Sequence, residues 1–200
     1  MAYVSCVNVP SPNHPSWDRL FETAAGQAGL FTTQQAAEAG YSPQLLVHHV
    51  RAGRATRVRR GVYRVVHFPA GEHEDLVAIW LWSEQAGVFS HETALALHDL
   101  SDVLPAQIHL TVPGDWRRRR LRAPEGVVVH CADVAPEDRA WVGAVPTTGP
   151  RRTLQDCARD GLAPELLQQA AQQALRRGLV GKDDLAEVEE ALRPFGGLAQ

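Results

Sequence analysis

Between residues 51 and 64 this chain places six arginines, Arg51, Arg54, Arg57, Arg59, Arg60 and Arg64, and not one acid. A guanidinium is permanently charged and presents a fixed fork of N–H donors, so a dense run of them suits phosphate oxygens. Just upstream stand Ser42, Gln44, His48 and Arg51. The last three are spaced by four and three residues, which puts them on one side of a helix. Amide, imidazole and guanidinium side chains are the types that read base edges. Together these residues imply base reading from a helix, with backbone contacts from Arg54, Arg57, Arg59, Arg60 and Arg64. The competing reading is structural: a charged hairpin can be an edge strand protected from aggregation, and a helix pair can serve docking.

The elements around these side chains fit the first reading. In residues 30–66, LFTTQQAAEAGYSPQLLVHHVRAGRATRVRRGVYRVV, Thr32 or Thr33 can cap a short helix over residues 34–39, and Gly40 can end it in the left-handed region. Ser42 is placed to cap a second helix, with Pro43 at its first position, where the missing N–H is harmless. Leu45, Leu46, Val50 and His49 make the inward stripe of that helix, while Gln44, Val47, His48 and Arg51 face the other way. Gly53 stops it. Two runs rich in Val, Tyr and Arg around Arg60-Gly61 then predict a β-hairpin over residues 55–66. Helix, turn, helix and hairpin make a winged helix-turn-helix. Residues 17–28, with Trp17, Leu20, Phe21, Ala24 and Ala28 at helical offsets, predict the supporting helix, with Trp17 and Phe21 as core anchors.

The whole chain divides into a loose tail at residues 1–16, the DNA-binding domain at 17–68, and a second domain at 72–200 beyond a break at HFPAG, residues 67–71. The second domain starts with a buried helix over residues 72–85 and another over 91–100, capped by Ser90. β-Branched runs at 107–112 and 126–131 predict two strands, and residues 142–146 a third. Helices then follow from Pro150, from residue 162 to 177, and from 182 to 193. The fold class expected is α+β, a winged helix-turn-helix followed by helices packed on a small sheet.

Between the first two strands, residues 116–122 hold five arginines and no acid. Arg117, Arg118, Arg119 and Arg120 form an accessory basic patch that is either a solvated loop or a contact to a polyanion. Charge divides along the chain in the same sense. Residues 17–67 carry seven Arg against three acids, while the remainder carries 13 basic and 20 acidic residues, so a net charge of −3 conceals one basic part and one acidic part. Nineteen of the 20 basic residues are Arg. Coding bias explains that as readily as phosphate recognition does, so it is the clustering of the arginines that points to phosphate.

Other chemistries find little support. Cys6, Cys131 and Cys157 are odd in number and widely spaced, which argues against a disulfide framework or a zinc knuckle and fits a cytoplasmic protein. His91 and His98 lie seven residues apart with no H-x-x-x-H, so they are expected as structural histidines, with no metal and no cofactor. Lys182, the sole lysine, lies in G-K-D-D without a glycine-rich loop, no G-x-S-x-G occurs, and no strand carries a paired acidic motif. The chain is expected not to be an enzyme. No stretch approaches the roughly 18–20 apolar residues needed to span a bilayer.

The stretch GLFTTQQAAEAGYSPQLLVHHVRAGRATRVRRGVYRV resembles the N-terminal winged-helix domain of the AbiEi antitoxins of type IV toxin-antitoxin operons. VFSHETALALHDLSDVLPAQIHLTVP and VPTTGPRRTLQDCA are similar to the region that follows it in such proteins. The resemblance implies a cytoplasmic transcriptional autorepressor that binds double-stranded operator DNA, often at inverted repeats, and opposes a nucleotidyltransferase toxin encoded nearby. By position it gives Ser42, Gln44, His48 and Arg51 the recognition-helix role and the hairpin arginines the wing role. The front half is also similar to that of certain nuclease-associated proteins. The alternative is therefore a nuclease-associated or stand-alone winged-helix regulator unrelated to a toxin.

Overall fold

Ser16 opens the first helix: its hydroxyl accepts the Arg19 N–H at 3.3 Å, and α1 runs Trp17–Ala25. The computed structural model describes residues 14–198, which fall into two units dividing between Trp82 and Ser83. The tail expected at residues 1–16 lies outside the described residues except for its last three. There the Ser16 N–H donates to the Ala39 carbonyl at 2.9 Å, so the chain is already tied down before α1 begins.

After α1 the first unit runs β1 (Leu30–Thr32), α2 (Thr33–Glu38), α3 (Pro43–Arg51), β2 (Ala55–Arg59), β3 (Val62–Val65) and α4 (Glu74–Trp82). The capping signals act as the residue types require. Thr32 caps α2 in a reciprocal capping box with Gln35, and Ser42 caps α3 by accepting from the Leu45 N–H at 3.2 Å. Gly40, at φ +92°, makes the turn between the helices; a Cβ there would also meet the His14 carbonyl at 2.8 Å. β2 and β3 form the expected hairpin, with Gly61 at φ +80° in its turn and a register shift between Arg57 and Arg59. β1 is an addition to the expected elements. It pairs antiparallel with β3, giving a three-stranded sheet ordered β1-β3-β2. The core beneath joins Leu20, Ala24, Phe31, Ala36, Tyr41, Leu46, Ala55 and Val65. Of the two anchors expected on α1, Trp17 packs partly buried against this core, but Phe21 remains 42% exposed, with its ring 5.9 Å from that of Phe68.

α4 places the division later than residues 67–71. Leu76, Val77, Ala78, Ile79, Trp80 and Leu81 are all buried, so this helix needs cover on every side. Within its own unit it packs on β1 and β3, and Arg64 on β3 lies 3.2 Å from the Glu74 carboxylate on its first turn. The break at Phe68-Pro69 is a turn inside the unit.

The second unit runs β4 (Val88–Phe89), α5 (His91–Leu97), β5 (Ile108–Val112), β6 (Val127–Cys131), β7 (Arg139–Val142), β8 (Val145–Thr148), α6 (Pro150–Arg159), α7 (Pro164–Arg176) and α8 (Ala186–Leu192). The five strands are ordered β6-β5-β4-β8-β7; β5/β6 and β4/β8 are parallel, and the other two pairs antiparallel. A parallel neighbour demands a crossover, and residues 113–126 supply one with only a short 3-10 turn, Gly114–Arg118, whose Trp116 is buried. The strand expected at 142–146 is interrupted: Val142 ends β7, Val145 and Pro146 begin β8, and Gly143, at φ +57°, lies in the turn between them. Apolar residues of α5 to α8, including Leu95, Leu154, Leu167, Ala171, Val188 and Leu192, form one helical core. The chain is thus α+β, and among the described residues no helix is long and apolar enough to cross a membrane.

Candidate nucleic-acid interface

α3 is held by its inner face and leaves the other free. Leu46 and His49 are buried, with Leu45 and Val50 partly so. The His49 ring stacks on Trp17 at 5.4 Å and 12°, and meets Tyr41 edge-on at 5.1 Å. Its Nδ1 is buried and finds no hydrogen-bond partner among the described residues. Burial, followed by the charges of Arg54 and His48, holds its pKa below the ordinary imidazole value. A neutral aromatic face is therefore what locks the helix down.

On the opposite face Ser42, Gln44, Val47, His48 and Arg51 are exposed. Gln44, His48 and Arg51 present free the hydrogen-bonding groups expected from the sequence, while Ser42 spends its hydroxyl on the cap. Val47 lies on this side as its period requires. It is 48% exposed, an apolar group between polar side chains, of the kind that suits a thymine methyl.

The hairpin presents Arg57 and Arg60 exposed and Arg59 half-buried, with Val58 42% exposed between them. Arg54, also exposed, precedes it at the end of α3. Position is fixed at the tip, because the Gly61 carbonyl accepts both the Thr33 N–H at 2.9 Å and the Thr33 hydroxyl at 3.3 Å. The hairpin tip is thereby pinned to the start of α2, a link that the sequence does not disclose. Arg57 donates from Nε to the Arg59 carbonyl at 3.3 Å, which braces the bulged segment.

Arg64 departs from the other five. It sits on β3, the central strand, half-buried, facing Glu74 at 3.2 Å and donating to the Phe68 carbonyl at 3.0 Å. Its charge is used within the unit. The acid that pairs with it lies outside the run from residue 51 to 64, so inspecting the run alone could not reveal it.

The accessory patch is likewise partly engaged inside the second unit. Arg117 donates to the Cys131 carbonyl at 3.1 Å, and Arg119 lies over the Trp116 ring at 4.1 Å and 3.4 Å from Glu84. All four arginines remain exposed. His98, one of the two histidines expected to be structural, donates from Nε2 to the Thr148 carbonyl at 2.7 Å.

Residues 18–66 match a family model described as a transcriptional regulator, the AbiEi antitoxin. Among solved structures the chain is similar to the RV2827C protein from Mycobacterium tuberculosis, at 16% identity and a TM-score of 0.48, over 90% of this chain and 77% of that one. No curated protein matches the chain.

Proposed function

We propose that the chain is a DNA-binding antitoxin and transcriptional autorepressor, which binds operator DNA through residues 17–67 and opposes a nucleotidyltransferase toxin encoded beside it. The observation that carries the DNA-binding reading is the exposed face of Gln44, Val47, His48 and Arg51 on a helix whose other face is packed, next to a braced hairpin bearing Arg57, Arg59 and Arg60. In this reading α3 enters the major groove and the hairpin arginines hold phosphates. The family match over residues 18–66 supports a regulator of antitoxin type. The protein then acts by occupying DNA and restraining its toxin, without catalysis of its own.

The test is fluorescence anisotropy on the DNA upstream of the chain's own gene against a scrambled duplex. Arg59→Ala weakens both and flattens the salt dependence by about one phosphate interaction. Gln44→Ala and His48→Ala mainly erase the preference, each costing roughly 1–3 kcal/mol where the side chain reads its base in bidentate fashion. Arg64→Ala lowers stability more than affinity, because its partner is Glu74. Equal loss of preference in every variant sinks this division of roles. Co-expression with the neighbouring toxin tests the antitoxin half: unabated toxicity counts against it.

A further inference from the structure

In the second unit three imidazoles that are far apart in sequence converge. His109 on β5 and His130 on β6 occupy diagonal positions of a parallel pair in which His109 faces Val128 and Thr111 faces His130. Strand residues two apart share a face, so both rings stand on the same side of the sheet. His109 Nδ1 lies 3.0 Å from His130 Nε2. His91, the first residue of α5, is delivered beside them by β4, which pairs with β5; the Ser90 N–H donates to the His109 carbonyl at 3.1 Å. The His91 ring lies 3.8 Å from that of His130, and one nitrogen from each of the three residues falls within 4.8 Å of the others.

We propose that His91, His109 and His130 form a binding site for a divalent transition-metal ion, of which Zn2+ is the one best matched to three imidazoles. Such a set, with no thiolate, suits Zn2+, Ni2+ or Cu2+ ahead of Mg2+ or Ca2+, which prefer oxygen ligands. A tetrahedral ion with Zn–N bonds of about 2.0–2.1 Å sets its ligand atoms about 3.3–3.4 Å apart. The 3.0 Å pair is close to that spacing. The third nitrogen, from His91, lies within 4.8 Å of both. Three protein ligands leave a fourth position for water.

Two further features at the triad point the same way. Ser90 precedes α5 as its N-cap, yet its hydroxyl makes no capping bond. It lies 2.9 Å from His91 Nδ1 and 2.7 Å from the Thr111 hydroxyl, so a relay from the sheet holds one imidazole nitrogen and leaves Nε2 to ligate. Orienting the distal nitrogen of a ligand histidine is what outer-shell partners do at metal sites. His91 is also kept at φ +53°, a left-handed conformation costly for a residue with a Cβ, which persists only where its surroundings fix it. His91 also lines a cavity of about 370 Å³ together with Glu92, Asp102 and Asp160.

The full-length protein, stripped with EDTA and dialysed, is titrated with ZnCl2 against a chromogenic chelator, and with CoCl2 by visible absorption. One equivalent of Zn2+ is expected, with the intense d–d bands of low-coordinate Co2+. Both disappear in His109→Ala and His130→Ala and survive in His67→Ala and His73→Ala. Ser90→Ala weakens uptake by roughly 10- to 100-fold, as removal of an outer-shell partner does. No uptake by the folded wild type, or uptake undiminished in His109→Ala and His130→Ala, overturns the proposal. Should those variants not fold, the nitrogen hyperfine pattern of bound Cu2+ in the wild type decides: three coordinated imidazoles sustain the site, and fewer reject it.

Discussion

His98 shows how one side chain takes on a structural duty that ties stability to pH. Burial lowers its pKa from the ordinary 6.5; its bond to the Thr148 carbonyl works against that shift and the nearby Arg177 charge works with it. The folded state therefore holds the imidazole neutral where the unfolded chain would protonate it. A depressed folded pKa means that the stabilisation is present above pH 6.5 and is lost as the pH falls below it. Each proton taken up on unfolding contributes a slope of about 1.4 kcal/mol per pH unit. Urea melts of metal-free protein between pH 7 and pH 5 should show stability falling, and His98→Gln should flatten that fall. An unaltered slope in the variant removes His98 from the account. Arg64 is the comparable case among the arginines, where a group of phosphate-binding type is ion-paired with Glu74 and donates to the Phe68 carbonyl of its own unit.

At the scale of elements, the crossover between β5 and β6 raises the sharpest question about charge. Arg117, Arg118, Arg119 and Arg120 crowd one exposed segment, yet Glu84 and the Cys131 carbonyl already engage two of them, and Trp116 anchors the turn. A segment fixed in this way can still extend a DNA footprint, because exposed guanidinium groups attract phosphate over about a Debye length. Neutralising all four to Gln should lower affinity for promoter and scrambled DNA alike, by a factor that shrinks with added salt, and leave the preferred sequence unchanged. Binding isotherms at low salt that overlay the wild type would make the segment a solvated loop. α3, the proposed recognition helix, follows the opposite logic: reading bases requires it to be immobile, and the His49 stack on Trp17 with the Ser42 cap holds it.

For the whole molecule, the division at Trp82 and Ser83 sets how labour can be partitioned. The proposed roles assign operator binding to the first unit and toxin restraint to the second. α4 belongs with the first unit and packs on β1 and β3, so a fragment ending at residue 71 would lose that packing. Residues 1–82 should give a cooperative melt and repress a promoter reporter, whereas residues 1–71 should melt earlier or not fold. Residues 83–200, once circular dichroism shows them folded, should protect cells from the toxin. Protection by folded residues 1–82 and none by folded residues 83–200 would reverse the assignment.

Much of the winged helix is legible in the sequence because its signals are local. Thr32, Gly40, Ser42-Pro43 and Arg60-Gly61 act on their own backbone within a few residues, and the period of the α3 stripe decides which face is exposed. The α+β class and most element positions follow from the same short-range rules. Long-range partners are not legible. Pairing of β1 with β3, Thr33 on the Gly61 carbonyl and Glu74 opposite Arg64 each join residues separated by loops, and sequence spacing carries no trace of them. His91 and His98 stand out in the sequence because they share one helix, while the histidines that meet, His91, His109 and His130, come from a helix start and two strands. Composition and spacing determined the local conformations; only the packing of strands into a sheet decided which charges are neutralised and which imidazoles converge, because those depend on register between segments that the chain brings together only when it folds.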